Sequence, residues 1–180
     1  MFDSEECFHL ALHASASGQP HTCMTYLRQL LQEQPTHAPA MYLLAAQHAE
    51  IGLYERAVDG FKAALAIAPN MEIARFQLGL LLLDGNRRAE ARENLAALSG
   101  SSDPGLATFA AAMVALAEED LQAAREKLTL GLTQSRNPPI AALMQRVLAG
   151  LEARGEAAMA EPATGDDGAG VLRAYRQKLS

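Results

Sequence analysis

The sequence lacks most of what builds secreted or membrane-spanning proteins. It contains two cysteines and no tryptophan among its 180 residues, and two cysteines are too few for a disulfide scaffold at this length. The leucine-rich run from Leu78 to Leu83 is far shorter than the roughly 18 apolar residues that cross a bilayer, and no other uncharged apolar run reaches that length. The first six residues have no basic start and no apolar signal core. These absences predict a soluble, cytoplasmic protein without membrane insertion.

Patterns typical of catalysis or nucleic-acid binding are also missing. The net charge of −6 argues against a nucleic-acid surface. No glycine-rich phosphate loop joins a strand to a helix, and no Gly-x-Ser-x-Gly motif occurs. The acidic residues are scattered over predicted solvent faces, whereas general acid–base catalysis needs carboxylates held in a cleft. We therefore expect no catalytic residues, no cofactor and no enzymatic activity.

Two histidines have a spacing that suits a metal ion. His9 and His13 stand four residues apart, so both lie on one face of a helix, and Cys7, His21 and Cys23 are near in sequence. No Cys-x2-Cys pair and no third ligand at a suitable spacing completes a site. We expect no metal site and interpret the cysteines as buried thiols that act as small apolar residues.

The sequence is rich in alanine and leucine. About half of it, 49%, is apolar, and the scarcity of β-branched residues favours helices over strands. The clearest pattern runs from Met41 to Pro69, where two helical stripes flank a break at Gly52. The first stripe consists of Met41, Leu44, Ala45 and His48, and the second of Ala57, Phe61, Ala64 and Leu65. We expect Leu44, Ala57 and Phe61 to be buried within one helical pair.

The same pattern recurs 34 residues to either side. Its upstream copy comprises Cys7, Leu10, Ala11, Ala14, Cys23 and Leu27, and its downstream copy comprises Arg75, Leu78, Gly79, Leu82, Ala91 and Leu95. Turns are predicted at Gly18 and at Gly85–Asn86, and Asp3 with Glu6 predicts a capping box. In period and pattern the chain resembles the tetratricopeptide repeat (TPR) superfamily. The resemblance implies an all-α fold, a right-handed solenoid of helix-turn-helix units.

The repeat positions set the expected boundaries. We predict units at 4–37, 38–71, 72–105 and 106–137, followed by a capping helix at 138–154 that begins with Asn137 and Pro138. In the fourth unit Ala124 and Leu128 arrive one residue early, so its turn at Glu119–Asp120 is shortened. Together these elements form a solenoid domain over residues 4–154.

The C-terminal residues differ in composition from the repeats. Residues 155–170 are rich in Gly, Ala, Glu and Asp and predict a flexible linker. Residues 171–180 form a short amphipathic segment, with Val171, Leu172, Tyr175 and Leu179 on one side and Arg173, Arg176 and Lys178 around them. This segment is either a frayed tail or a tethered peptide that binds its own solenoid or a partner.

The resemblance also points to a binding surface. Phe8, Tyr42 and Phe76 follow the bulky motif positions at intervals of 34, about 100° away from the face that packs inside each pair. In TPR proteins this side of the first helices lines a concave groove. The implied partner-binding residues are Phe8, His9, Leu12, Tyr42, Leu43, Ala46, Phe76, Gln77, Leu80 and Val114. The alternative is that the aromatics are used in packing between neighbouring repeats.

These residues indicate the kind of partner. TPR grooves that clamp acidic C-terminal peptides use Lys, Arg and Asn on these faces, and this chain has apolar residues there instead. We therefore expect a protein partner that offers an apolar extended segment or an amphipathic helix. The favoured function is a non-catalytic scaffold or adaptor. The alternatives are a small cytoplasmic chaperone for a secreted or membrane-inserted client and an accessory subunit that regulates an enzyme complex, and a homodimer remains open.

Overall fold

In the computed structural model, the described residues are 3–160 for the backbone and 3–153 for the side chains. All the regular secondary structure in that range is helical. The α-helices are α1 (Ser4–Ala16), α2 (Pro20–Glu33), α3 (Ala38–Glu50), α4 (Tyr54–Ile67), α5 (Glu72–Asp84), α6 (Arg88–Ala96), α7 (Pro104–Ala117), α8 (Leu121–Gln134) and α9 (Pro138–Ala160), and a 3₁₀ helix spans Ala97–Gly100. The expected all-α fold is confirmed, and in no described residue is there a strand.

One turn recurs inside each helix pair. After the first helix a single residue adopts a positive φ: Gly18 (66°), Gly52 (80°), Asn86 (56°) and Glu119 (64°). The N–H of the following residue then donates to the carbonyl oxygen five positions back, as in the 2.9 Å bond from Gln19 to Ala14 and the 2.8 Å bond from Leu53 to His48. This is the Schellman motif, which satisfies carbonyls that a helix end leaves free. The intervals of 34, 34 and 33 residues match the predicted repeat and its shortened fourth turn.

The chain divides into two compact units, and the division falls between Leu78 and Gly79, inside α5. In the first unit α1 packs on α2, α2 on α3 and α3 on α4. A core cluster of Cys7, Ala11, Ala14, Cys23, Leu27, Leu30 and Ala40 holds the first three of these helices together. Ala57 and Phe61 are buried as expected, whereas Leu44 is only partly buried.

Small residues set the spacing between α3 and α4. Ala45 is fully buried, and a Cβ atom added at Gly60 would come within 2.8 Å of its Cβ. Real Cβ atoms do not approach so closely, so the glycine is required for this contact between the helices.

In the second unit α6 packs on α7, α7 on α8 and α8 on α9. Gly131 of α8 lies so close to the Phe109 ring of α7 that an added Cβ would be 2.5 Å from it. Arg88 of α6 donates to the carbonyl oxygen of Ala117 and to the Glu119 carboxylate, each at 3.2 Å. An arginine of one pair therefore caps the last turn of the first helix in the next pair.

The helix starts follow the predicted capping chemistry. Asp3 and Glu6 form the expected capping box, and Asn137 Oδ1 accepts from the Ile140 N–H at 3.2 Å at the start of α9. The predicted end of α9 is wrong, because the helix continues from 154 to Ala160 through a stretch that we assigned to the linker. Alanine, methionine and glutamate at 156–160 are good helix formers and outweigh the single Gly155. The remainder of the predicted linker, 161–170, and the amphipathic segment at 171–180 lie outside the described residues.

Candidate protein-binding surface

The first helices of the first two repeats lie side by side in the first unit. At one end the Phe8 ring of α1 contacts the His37 ring, which caps the start of α3, with 5.1 Å between the ring centroids. At the other end Gln47 Nε2 of α3 donates to Ser15 Oγ of α1 at 3.2 Å. Contacts at matching ends mean that α1 and α3 run parallel.

Each of the two helices has a stripe of partly or fully accessible residues. On α1, Glu5, Phe8 and Leu12 recur at intervals of three and four residues, and on α3 the same holds for Leu43, Ala46 and Glu50. Phe8 and Leu43 both pack with their inner atoms on the core cluster of this unit. We call these six residues the α1–α3 surface.

The middle of this surface is apolar and accessible. Leu12 is 43% exposed and is one of five large apolar side chains that are exposed among the described residues. Phe8, Leu43 and Ala46 are half-buried, and His9 beside them is exposed. A partner could therefore bury apolar area here without any rearrangement of the helices.

Tyr42 combines a packing role with a polar one. Its ring lies against Phe61 of α4, with 5.8 Å between the centroids. Burial raises the pKa of the Tyr42 hydroxyl, and a hydrogen bond with Gln77 partly opposes that shift. Gln77 Oε1 is buried and has no protein partner. Tyr42 is therefore a half-buried residue whose ring packs towards α4 and whose hydroxyl is held by α5.

Two of the predicted groove residues are not accessible. Phe76 is 0% exposed and Leu80 is 4% exposed, so neither side chain is accessible to a partner in this structure, contrary to their expected place in an open groove. The α5 side chains at these positions are core residues, which the packing alternative foresaw for Phe76. Val114 is half-buried on α7, in the second unit. Gln77 is half-buried on α5, in the part of that helix that belongs to the first unit. The predicted residues that the structure brings together in one place are those on α1 and α3.

The basic residues are unevenly distributed over the helices of the first unit, a pattern that the repeat motif does not indicate. In the first unit α1 and α3 carry Glu5, Glu6 and Glu50 and neither lysine nor arginine. The second helices α2 and α4 carry equal numbers of both signs, namely Arg28, Arg56 and Lys62 with Glu33, Glu55 and Asp59. A count of charges per predicted helix would have revealed this segregation from the sequence. It makes the α1–α3 surface acidic as well as apolar.

The cysteines and histidines do not assemble a metal site in the part of the chain that the structure describes. Cys7 and Cys23 are buried, whereas His9 and His13 are exposed. Burial, with a contribution from the nearby Glu50 carboxylate, raises the pKa of the Cys23 thiol to about 11, and burial also raises the pKa of Cys7. Among the described residues, no three His, Cys, Asp or Glu side chains converge as ligands. In the same range no helix is both long and apolar enough to cross a membrane.

Several solved structures share this fold. A tetratricopeptide repeat protein from Parabacteroides merdae ATCC 43184 matches with a TM-score of 0.69 at 15% identity, over 98% of this chain and 70% of that one. MamA from Desulfovibrio magneticus RS-1 matches with a TM-score of 0.64 at 17% identity, over 98% and 92%. PilW, described as a type IV pilus biogenesis factor, matches with a TM-score of 0.64 at 18% identity, over 81% and 70%. No protein-family model and no curated protein matches the sequence. The fold is that of an all-α TPR solenoid.

Proposed function

We propose that the chain is a non-catalytic scaffold that binds a segment of another protein along the α1–α3 surface. The observation that carries this proposal is the exposure of Leu12, 43%, between the half-buried apolar side chains Phe8 and Leu43. Apolar atoms at the edge of a rigid helix pair favour association because their burial removes them from water. The packing of Phe8 and Leu43 on the core cluster means that little conformational entropy is lost when a ligand covers them.

The parallel arrangement of α1 and α3 favours an elongated ligand. Two parallel helices leave a shallow furrow between their stripes, and an extended strand or a helix fits such a furrow better than a compact ligand does. The contact of Tyr42 with Phe61 holds α3 against α4 at the edge of this furrow. We infer that Leu12 is the centre of the contact with the ligand.

The test is affinity capture from the source cells with three variants of the full chain. Leu12→Asp should abolish recovery of the partner, because it places a charge at the centre of an apolar contact. The matched control is Leu130→Asp, which introduces the same charge at a leucine on α8 that is 51% exposed, and it should leave recovery unchanged. Tyr42→Ala should weaken binding and also lower the melting temperature, since its ring packs on Phe61. Equal recovery with Leu12→Asp and Leu130→Asp would contradict the proposed surface.

A further inference from the structure

The two ends of the α1–α3 surface are both acidic. Glu5 stands in the first turn of α1 and is exposed, and Glu50 is the last residue of α3. Between them the stripe contains only apolar side chains, and neither helix carries a lysine or arginine that could neutralise the carboxylates. A ligand that lies along this surface therefore meets a negative charge at each end.

The Glu50 carboxylate is held in position by a hydrogen bond from a neighbouring side chain. Its Oε2 accepts from Gln47 Nε2 at 3.0 Å, and the same nitrogen donates to Ser15 on α1. Gln47 is 3% exposed, so a buried amide at the contact between α1 and α3 fixes the position of the carboxylate. A fixed carboxylate pairs with a ligand cation at a lower entropic cost than a mobile one does.

The distance between the two carboxylates along the helices follows from the repeat. The residue of α3 that corresponds to Glu5 of α1 is Pro39, and Glu50 lies eleven positions beyond it. Eleven residues of α-helix rise about 16 Å. A bound helix would thus need two basic residues about three turns apart, with apolar residues between them.

We propose that the α1–α3 surface binds an amphipathic helix of a partner protein whose apolar face covers Leu12 and whose two flanking basic residues pair with Glu5 and Glu50. This inference rests on the proposed function and specifies its ligand. An acidic segment of the same shape would place like charges together at both ends and lose affinity.

The probes are three fluorescein-labelled synthetic helices with the same leucine face. The first has two lysines eleven residues apart at the edge of that face, the second has glutamates at those positions, and the third has the lysines four residues apart. Binding to the full chain is measured by fluorescence anisotropy. We expect the first helix to bind at least about tenfold more tightly than the second and more tightly than the third.

Variants of the chain with equal net charge distinguish specific pairing with Glu5 and Glu50 from nonspecific electrostatic attraction to an acidic protein. The double change Glu5→Gln with Glu50→Gln should weaken the first helix by about tenfold and abolish its advantage over the second. The double change Glu93→Gln with Glu126→Gln alters net charge equally at exposed residues of α6 and α8 and should leave the affinity unchanged. Equal weakening by both double variants, or no preference for the eleven-residue spacing, would overturn the inference.

The remaining outcomes identify other occupants or separate this inference from the proposed function. If Arg173, Arg176 and Lys178 are all changed to Gln and the first helix then binds more than about tenfold more tightly, this chain's own C-terminal segment is the occupant and the inference is overturned. A dimer in sedimentation velocity that Leu12→Asp dissociates would overturn it in favour of a second copy. If Leu12→Asp abolishes partner capture while the three helices bind alike, the proposed function stands and the basic ligand is wrong.

Discussion

Helices α1 and α3 occupy the same place in successive repeats, yet they bury different amounts of their surface. Ala40 of α3 is 0% exposed and Gln47 is 3% exposed, because α2 of the preceding repeat packs beside them. The residues 34 positions earlier, Glu6 and His13, are exposed. Equivalent positions of the two helices therefore carry small or buried side chains in α3 and exposed polar ones in α1.

The test with the largest expected loss of stability replaces Ala40 of α3 with glutamate, the residue that α1 has at the equivalent position, Glu6. Ala40→Glu should lower the free energy of unfolding by about 3–5 kcal/mol, because the carboxylate would be buried without a partner in a filled space. Urea denaturation followed by circular dichroism measures this loss. The reciprocal change, Glu6→Ala, removes only one half of the capping box on an exposed turn and should cost about 1 kcal/mol. Similar losses for both changes would break the comparison.

The second test concerns Gln47, whose partner Ser15 is on α1. Gln47→Ala should cost about 1–3 kcal/mol, since it deletes buried volume and the hydrogen bonds to Ser15 and Glu50. Gln47→Leu introduces the residue that the third repeat has at this position, Leu81, and also removes a buried Oε1 that has no protein partner. We expect Gln47→Leu to lie within about 1 kcal/mol of the parent. Thermal and urea unfolding of both variants distinguish packing from hydrogen bonding as the source of stability here.

A smaller effect on the free energy of unfolding is expected when the pH falls. It comes from a histidine of α3 that has no counterpart in α1. His48 of α3 corresponds to Ala14 of α1, and burial, together with Arg28 on α2 and Arg56 on α4, lowers the pKa of its imidazole below 6.5. The unfolded chain therefore binds this proton more readily than the folded one. The stability contributed by neutral His48 is complete above pH 6.5 and is lost as the pH falls from there through the lowered pKa.

The variant His48→Gln isolates this contribution. Between pH 7 and pH 5 the parent should lose more unfolding free energy than His48→Gln does, because the other titrating groups are common to both. Parallel pH profiles for the two proteins would show that His48 has no part in the acid sensitivity.

The smallest difference between the two repeats is expected at the turns, where they are alike. Gly18 and Gly52 both have positive φ, and an added Cβ would meet no atom closer than 4.0 Å at either position. Gly18→Ala and Gly52→Ala should each cost about 1–2 kcal/mol through backbone strain alone. The two losses, measured by urea denaturation, should agree closely. A larger loss at one glycine would show that its turn is also held by contacts of the neighbouring repeat.

The fold could be predicted from the sequence because its signals are local and repeated. The positive-φ turns follow from Gly18, Gly52 and Asn86, and the early arrival of Ala124 located the shortened turn, although Glu119 itself gave no local signal for positive φ. The binding surface was less accessible to prediction. Phe8, Tyr42 and Phe76 hold the same motif position, but Phe76 is fully buried. Its exposure depends on which helices lie over it, and a 34-residue spacing contains no information about that.

The single-residue turns inside the helix pairs also determine where the chain tolerates insertions. The residue that closes each Schellman bond is also the N-cap of the next helix, as Leu53 is between α3 and α4. An epitope tag or fluorescent label inserted there would break this bond and the tight connection that holds the two helices of the pair against each other. The connection from Ala97 to Asp103 is longer, because a 3₁₀ turn and several residues without regular structure separate α6 from α7. Reporter insertions should therefore succeed near Gly100 and fail next to Gly52.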